Sequence, residues 1–360
     1  MKIVKKWIIP ACFLLLIGSI ARAQQSYTPL DKWLEDHTAE MGGRSVLLVY
    51  KQGKIVYSNS VNDLSMRQKM VAKIVAKKQG KAVDLSDFTA DTRVQIASCS
   101  KWLSAALVMT FVDEGRLRLS DTIGKYLPVM SQNGKGGITV SQCLSHTTGI
   151  KAPALKESLQ EMKQFQSMDD AVAGIAKLPI EGHPGTVFHY SNVGLQLAGA
   201  VIEKISGKSF ETLFQERIAG PLNMKQTGFG TGKVALPAGG ATSTANDYLN
   251  FIVMILEKGK FHGKQVLSEA SVAEMQVNRI TEGVKIGYSP AEASGSGYGY
   301  GEWIMKDAIS SPGLFGSYPV VDIKRGYAAV LITFYIKPDG KQERYAALKR
   351  NIDKFVVEEL

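Results

Sequence analysis

Residues 96–115 read IASCSKWLSAALVMTFVDEG, and they place Ser98 and Lys101 three positions apart at the head of a long apolar run. The run predicts a buried helix over 99–114 that ends at Gly115 as its C-cap. Residues three apart lie on one helix face, so the serine hydroxyl and the lysine amine can meet. A lysine desolvated in a cleft can lose its charge and take the serine proton. The helix N-terminus adds free N–H groups that suit a developing oxyanion.

A lone Ser-x-x-Lys pair is a weak signal, because roughly one or two are expected by chance in a chain of this length. The alternative to catalysis is an ordinary helix start followed by a solvated lysine. The rest of the chain is therefore needed to decide between a catalytic pair and a structural one.

The first 23 residues have the pattern of a secretory signal peptide. Lysines precede an apolar core over 7–20, and Ala21-Arg22-Ala23 is a small-x-small cleavage site. The apolar stretch is short for a membrane span. Cys12 lies inside this core and not at its end, which argues against a lipoprotein anchor. We expect a periplasmic or secreted protein with no membrane span after cleavage.

The charge balance is mildly basic. The formal net charge of +10 falls to +6 once the leader is removed, because the leader carries four cations and no acid. Five lysines cluster in a predicted short helix: Lys69, Lys73, Lys77, Lys78 and Lys81. A solvated helix face is the favoured interpretation, an acidic surface or nucleic acid is the lesser one, and we expect no nucleic-acid partner.

The two ends of the chain predict strands, and the middle predicts helices. Residues 45–60 predict a β-hairpin that turns near Gln52-Gly53. Later strand patterns, and then a C-terminal helix, cover residues 298–305, 314–322, 326–334 and 342–359. In the middle, 193–205 and 244–258 have helical spacing, and each ends at a glycine.

This arrangement predicts an α+β fold in which one antiparallel sheet, built from both chain ends, is flanked by helices beside a mostly helical lobe. We expect a single catalytic domain over 24–360. The sheet lobe would span about 24–95 and 285–360, and the helical lobe about 96–284. A cleft between the lobes is the natural place for a site.

A second candidate element, Tyr190-Ser191-Asn192, precedes the apolar helix that starts at Val193. A phenol near a lysine cation can have its pKa lowered and relay protons. An asparagine amide both donates and accepts, which suits a substrate amide. The tripeptide is not specific, since Tyr57-Ser58-Asn59 is an identical copy. That copy falls in the predicted hairpin, so we assign Tyr57 to the core.

These elements together resemble the serine β-lactamase and penicillin-binding-protein superfamily, in particular its class C β-lactamase-like branch. That branch holds class C β-lactamases, D-alanyl-D-alanine carboxypeptidases, D-aminopeptidases and some esterases. Further stretches carry the resemblance: LSHTTGI (144–150), PGTVFHYSNVGLQLAGAVIEKISG (184–207), PLNMKQTGF (221–229) and GGATSTANDYLNFI (239–252). The resemblance implies a β-lactamase/transpeptidase-like fold with the site between the lobes.

The resemblance also implies roles for individual residues. Ser98 would be the nucleophile, and Lys101 and Tyr190 would carry protons. Asn192 would hold the acyl side chain, and the N–H groups of Ser98 and Leu314 would form the oxyanion hole. No cofactor and no metal are implied.

The third element departs from the family pattern, because Ser311-Pro312-Gly313 stands where Lys-Thr-Gly or His-x-Gly is usual. We expect Ser311 to face the bound substrate and Gly313 to allow a close backbone approach. A serine offers a substrate carboxylate only a hydroxyl and no charge. We therefore expect weak turnover of carboxylate-bearing β-lactams and better activity on uncharged esters or amides.

Histidines and cysteines are the remaining candidates. A hydrogen-bonded structural role is favoured for His146, because Lys101 and Tyr190 already fill the base role. The histidines show no metal-ligand spacing. For Cys99 and Cys143 two alternatives stay open, a disulfide or two buried thiols.

The sequence therefore predicts an exported serine hydrolase that forms an acyl-enzyme from an amide or ester. Its substrate would be a D-amino-acid peptide, a β-lactam or a small ester. The alternative is a non-catalytic penicillin-binding-like protein. The departure at Ser311 favours that alternative, and the retention of all proton-transfer groups argues against it.

Overall fold

The computed structural model describes residues 28–358, except for residues 79, 81, 163, 337 and 338. The predicted signal peptide over 1–23 lies outside the described residues. Within the described part of the chain, no helix is long and apolar enough to cross a membrane.

Strands and helices have the following bounds. The strands in chain order are β1 (Arg44–Lys51), β2 (Lys54–Asn62), β3 (Val94–Gln95), β4 (Val187–His189), β5 (Thr242–Ser243), β6 (Lys260–Phe261), β7 (Lys264–Gln265), β8 (Lys285–Tyr288), β9 (Gly297–Tyr298), β10 (Trp303–Ile304), β11 (Ile309–Ser310), β12 (Tyr318–Asp322) and β13 (Tyr327–Thr333). The α-helices are α1 (Pro29–Thr38), α2 (Met66–Lys78), α3 (Cys99–Asp113), α4 (Pro128–Gln132), α5 (Val140–Leu144), α6 (Leu155–Met162), α7 (Met168–Ala176), α8 (Val193–Ser206), α9 (Phe210–Phe214), α10 (Ala245–Leu256), α11 (Glu269–Met275) and α12 (Lys341–Glu358).

Seven strands from both ends of the chain form one antiparallel sheet, in the order β2-β1-β13-β12-β11-β10-β9. The hairpin between β1 and β2 turns at Gln52 and Gly53, whose φ angles of 52° and 82° match a type I′ turn. β1 also pairs with β13, so that Leu48 lies opposite Val330. The predicted α+β fold, with one sheet built from both ends, is confirmed.

Alternate residues of each strand face opposite sides of the sheet. On one side, Leu47 and Val49 belong to a core with α1 and α12. On the other side, Val46 and Leu48 join the larger core that contains α3, α8 and α10. The sheet is therefore covered by helices on both faces, and α3 lies buried on the side of the helical lobe.

The central helix α3 forms because its sequence is apolar on nearly every side. It has buried residues in every turn, and the following Gly115 takes a φ of 67°. Gly207 does the same after α8, with a φ of 71°. Such left-handed caps end a helix at little cost because glycine has no Cβ.

Three sequence expectations differ from the fold in detail. The expected strand over 298–305 is split into β9 and β10, and the one over 314–322 begins only at Tyr318. The delay has a local cause, since Gly316 turns the chain with a φ of 96°. In addition, β8 pairs in parallel with β4. Because β8 belongs to this separate two-stranded sheet, the main sheet resumes at Gly297 and not near residue 285, where the sheet lobe was expected to continue.

The two cysteines in the described part of the chain are separate thiols. Cys99 and Cys143 are both buried and are not bonded to each other. Burial raises the pKa of both thiols well above the ordinary value. The disulfide alternative is therefore wrong, and the two-thiol alternative describes the fold.

Candidate active site

Ser98 stands immediately before α3, at the bottom of a cleft. The preceding residue, Ala97, adopts a left-handed φ of 45°. A residue with a Cβ is strained there, by about 1–2 kcal/mol. Within the described chain, the Ser98 backbone N–H donates to no other protein group. The sharp turn thus presents both the serine hydroxyl and a free N–H at the helix N-terminus.

Lys101 is the nearest basic group to this hydroxyl. Its Nζ lies 3.2 Å from Ser98 Oγ and donates to the Ala238 carbonyl at 2.8 Å. The side chain is only 2% exposed, and burial lowers the pKa of Lys101 to about 7. A neutral amine has N–H donors for Ala238 and one lone pair that can accept the Ser98 proton. The structure therefore places the Ser98 hydroxyl in direct contact with an amine that is partly neutral near pH 7.

The segment around Ala238 was not singled out from the sequence as part of the site. Polar side chains of the otherwise apolar α3 hold it in place. Ser104 Oγ donates to the Pro237 carbonyl at 2.6 Å, and the Ala241 N–H donates to Ser100 Oγ at 3.0 Å. The signal that could have found this contact is the presence of Ser100 and Ser104, one turn apart, on a buried apolar helix.

Tyr190 follows β4 and lies against the same lysine. Lys101 Nζ is 4.6 Å from the centre of the tyrosine ring. Burial raises the pKa of Tyr190 above the ordinary phenol value, and a hydrogen bond with Ser98 only partly opposes this. The expectation that a neighbouring cation lowers this pKa is wrong. Burial is the largest influence on this pKa, and Lys101 itself is partly neutral near pH 7.

A group of buried rings holds Tyr190 from behind. Its ring centre lies 4.7 Å from that of His146, 5.1 Å from Trp303 and 5.9 Å from Tyr298. His146 Nε2 is 3.1 Å from the Tyr298 hydroxyl, and burial lowers the pKa of His146 well below its usual value. His146 is therefore a neutral, hydrogen-bonded histidine that packs against Tyr190, as favoured from the sequence.

Asn192 and Leu314 line the cleft together with Ser98. Asn192 precedes α8, yet its side chain does not cap that helix. Leu314 is 36% exposed. Its N–H, like that of Ser98, donates to no group in the part of the chain that the structure describes. Both residues thus offer unsatisfied polar groups beside the Ser98 hydroxyl.

Ser311 differs from its sequence expectation. It is 1% exposed, and its hydroxyl donates to the Gly301 carbonyl at 2.9 Å and approaches the Ser98 carbonyl at 3.3 Å. The hydroxyl is thus occupied by backbone carbonyls and does not line the cleft, because β11 turns this side chain toward α3. Ser311 therefore connects the late strand to the start of the Ser98 helix.

Gly313 also makes its close approach within the protein. A Cβ on Gly313 would lie 2.3 Å from the Ile96 carbonyl oxygen, so no larger residue fits without movement. The expectation of a close approach at Gly313 is correct, but the partner is Ile96, between β3 and Ser98, and not a substrate. This contact fixes Leu314 beside Ser98.

Two cavities meet at the Ser98 hydroxyl. The larger has a volume of about 980 Å³ and extends toward α12, and the smaller has about 680 Å³ and lies beneath α6. Four residues line both: Ser98, Leu155, Asn192 and Leu314. An acyl compound attacked by Ser98 would therefore have room for a group on each side of its carbonyl.

The fold and this arrangement define a serine-hydrolase-like site in a β-lactamase/transpeptidase-like protein. The chain belongs to the β-lactamase family, whose model matches residues 30–351. The match is to the family as a whole, and the class C-like branch remains a prediction.

Several known proteins are similar. A protein of Bacteroides dorei DSM 17855, named as a β-lactamase, is 28% identical with a TM-score of 0.74, over 91% of this chain and 98% of its own. Protein Rv1367c of Mycobacterium tuberculosis is 28% identical over 281 residues, which are 63% of this chain and 70% of that protein. EstCE1, a hydrolase with promiscuous acyltransferase activity, is 18% identical with a TM-score of 0.71, over 90% of this chain and 98% of its own. At that identity EstCE1 shows the shared fold alone.

Proposed function

We propose that this protein is a serine hydrolase that cleaves an ester or amide through an acyl-enzyme on Ser98. The observation that carries the proposal is the contact between Ser98 Oγ and Lys101 Nζ at 3.2 Å, together with the lysine pKa of about 7. A base with a pKa near the working pH combines a sufficient neutral fraction with a sufficient driving force for proton transfer.

In the acylation step, Ser98 Oγ forms a bond to the substrate carbonyl carbon while its proton passes to the neutral Lys101 amine. The carbonyl oxygen becomes an oxyanion, and the N–H groups of Ser98 and Leu314 would stabilise it. The bond to the leaving alcohol or amine then breaks. The leaving group takes the proton that Lys101 holds, through the Tyr190 hydroxyl.

In the deacylation step, water attacks the acyl carbonyl carbon and the bond to Ser98 Oγ breaks. The water proton passes to the Tyr190 and Lys101 pair, and a proton returns to Ser98. Tyr190 acts here as a neutral relay, since its raised pKa disfavours a standing phenolate. His146 would position the tyrosine ring without exchanging protons.

The smaller cavity suggests which acyl groups fit. Apart from Lys233 and Gln166 at its rim, its walls are mainly apolar and include Leu159, Phe165 and Leu236. Lys233 Nζ contacts Gln166 Oε1 and so joins the two walls at that rim. We infer that the acyl group is apolar and of short to medium length, with Asn192 at its carbonyl end.

Ser311 offers a substrate carboxylate no group, because its hydroxyl is bound to backbone carbonyls. We therefore propose that carboxylate-bearing β-lactams are turned over slowly relative to uncharged esters. Action outside the cytoplasm is part of the proposal and rests on the N-terminal sequence pattern alone.

Intact-mass analysis after mixing with p-nitrophenyl butyrate and with a penicillin tests the mechanism. We expect an acyl adduct on the unmodified protein, and none on Ser98→Ala, whose turnover should fall by at least about 10³-fold. Ser58→Ala is the matched control. Because Ser58 is exposed on β2, this variant should form the acyl adduct to the same extent as the unmodified protein. An adduct that persists in Ser98→Ala would move the nucleophile elsewhere. No adduct and no turnover with any acyl compound would favour the non-catalytic binding protein.

A chain-length series tests the acyl cavity. We expect kcat/KM to rise from acetyl to hexanoyl p-nitrophenyl esters, by roughly fourfold for each buried methylene. Leu159→Trp should remove this gain while leaving acetyl ester turnover nearly unchanged. A flat series in the unmodified protein would contradict the cavity assignment but not the Ser98 mechanism.

A further inference from the structure

Helix α2, Met66–Lys78, is 13 residues long and contains no buried residue. Among the described residues, its side-chain hydrogen bonds to the rest of the protein lie at its start. The Ser65 N–H donates to Gln68 Oε1 at 2.8 Å, and Gln68 Nε2 donates to the Ala39 carbonyl at 2.8 Å. Isolated helices of about this length are marginal in water, since most helices are stabilised by packing one face. A helix of this kind gains stability if another surface covers it.

The exposed side chains of α2 are unusually apolar. Five large hydrophobic residues are between 44% and 80% exposed: Met66, Met70, Val71, Ile74 and Val75. Positions 66, 70 and 74 follow each other at a spacing of four, and 71 and 75 lie beside them. Contiguous apolar surface of this kind marks an interaction site more often than plain solvent exposure.

Every ionisable residue of α2 is basic. Lys69, Lys73 and Lys77 form a row along one edge of the apolar strip, while Arg67 and Lys78 lie at the two ends of the helix. Among the described residues, none of these five cations makes an ion pair or a hydrogen bond through its side chain. Their long apolar stems allow the charged ends to reach past neighbouring hydrophobic side chains.

This combination of charge and apolar surface restricts what covers the helix. A second copy would place five cations against five cations, with no acid in either helix. An acidic surface without an apolar layer would leave the hydrophobic strip in water. An anionic lipid bilayer satisfies both features, because apolar side chains enter the headgroup boundary while cations meet the lipid phosphates.

We propose that α2 is an interfacial helix that docks this protein on the surface of an anionic membrane. The proposal concerns binding to a surface and does not involve a membrane span. It is independent of the Ser98 mechanism, because α2 contributes no residue to either cavity at Ser98.

Vesicle co-sedimentation of the purified protein, processed at its predicted cleavage site, tests the proposal. We expect binding to vesicles of equal parts phosphatidylglycerol and phosphatidylcholine, weaker binding as salt rises, and little binding to pure phosphatidylcholine. The triple variant Lys69→Gln, Lys73→Gln, Lys77→Gln should lower the partition coefficient by about a hundredfold. The double variant Met70→Gln, Ile74→Gln should lower it by at least about tenfold.

The matched control removes three exposed lysines outside α2, in the variant Lys225→Gln, Lys260→Gln, Lys264→Gln. It should bind vesicles within about threefold of the unmodified protein. All variants should keep the ester turnover and thermal midpoint of the unmodified protein, since the changed side chains are exposed.

Three results would overturn the proposal. The first is no binding to anionic vesicles by the unmodified protein. The second is an equal loss in the control triple variant, or no loss in the Met70 and Ile74 variant, since either would mean attraction by net charge alone. The third is a lipid-free dimer, seen by light scattering, that the Met70 and Ile74 variant abolishes, because α2 would then bind a second copy.

Discussion

The tripeptide Tyr-Ser-Asn occurs twice in this chain, and the two copies lie in opposite chemical surroundings. In β2, Tyr57 is 1% exposed and donates to Asp31 Oδ1 at 2.8 Å. Asn59 donates to the same carboxylate oxygen at 2.6 Å. Asp31 belongs in turn to the capping box of α1 with Thr28. The Tyr57 hydroxyl and the Asn59 amide nitrogen of this copy are thus both used in joining the sheet to a helix.

The second copy has the same side chains, but among the described residues its tyrosine and asparagine share no carboxylate partner. Lys101 Nζ lies over the Tyr190 ring, and the Asn192 amide leaves its helix uncapped. Both residues line the larger of the two cavities that meet at Ser98. The comparison shows that the tripeptide becomes a candidate site only where its surroundings leave polar groups free for a substrate.

The largest expected effect comes from Lys101, the proposed base, which contacts the Tyr190 ring and has no counterpart at Tyr57. Lys101→Met should lower kcat/KM for esters by about 10⁴-fold, because the group that takes the serine proton is lost. In the unmodified protein, kcat/KM should rise with pH through about 7, since protonated Lys101 has no lone pair. A rate that is independent of pH between 5 and 9 would contradict this assignment.

The same variant should gain stability in acid. The pKa of Lys101 falls from 10.5 in the unfolded chain to about 7 in the fold. Between these pH values the unfolded state binds more protons, so the free energy of unfolding rises with pH, by about 5 kcal/mol at most. Below pH 7 the full penalty of burying the charge applies. Lys101→Met should therefore be more stable than the unmodified protein at pH 6.

Urea unfolding at pH 6 and at pH 9.5 measures this effect. The stability advantage of Lys101→Met should shrink toward alkaline pH, where the wild-type lysine is neutral in the fold. If the two proteins keep a constant difference over this range, the lysine pKa is not depressed, and the proposed base would need another source of activation.

The two tyrosines give the next largest contrast. Tyr190→Phe should lower kcat/KM by at least about 10²-fold, because the proton relay is removed while the ring packing stays. Tyr57→Phe should leave kcat/KM unchanged but lower the free energy of unfolding by about 1.5–3 kcal/mol, since Asp31 loses a charge-assisted hydrogen bond. Ester kinetics and urea unfolding of both variants are the measurements. The reverse pattern would mean that Tyr57, and not Tyr190, has the functional role.

The two asparagines repeat the contrast on a smaller scale. Asn192→Ala should raise KM for amide-bearing substrates by about tenfold, as expected for the loss of one hydrogen bond to substrate. Asn59→Ala should leave KM unchanged and destabilise the fold, because it removes one donor from Asp31. Equal KM values in both variants would mean that the Asn192 amide does not meet the substrate.

Local patterns in the sequence predicted most of the fold. The hairpin from β1 to β2, the apolar α3 and the glycine ends of α3 and α8 are each encoded within a few neighbouring residues, and the fold has them. The Ser-x-x-Lys spacing likewise predicted the contact between Ser98 and Lys101, because a helix fixes that distance.

The features that the sequence did not predict depend on partners far along the chain. The amine of Lys101 is oriented by the carbonyl of Ala238, 137 residues away. The Tyr190 pKa depends on burial among rings from three other segments, and the direction of Ser311 depends on how β11 meets α3. Side-chain direction and burial of this kind follow from tertiary packing, which a motif does not encode.

Loss of the Ser311 hydroxyl gives the smallest expected effect and extends the comparison beyond the tyrosines. This hydroxyl is saturated, like that of Tyr57, since both of its contacts are backbone carbonyls. Ser311→Ala should cost about 1 kcal/mol of stability and change ester turnover only a few-fold, because no substrate contact is lost. Ser311→Lys should destabilise the protein by several kcal/mol, since an ammonium group would have to fit where the hydroxyl is 1% exposed. Penicillin turnover and urea unfolding of both variants check this, and a stable Ser311→Lys protein with clearly faster penicillin hydrolysis would show that this position opens to the substrate.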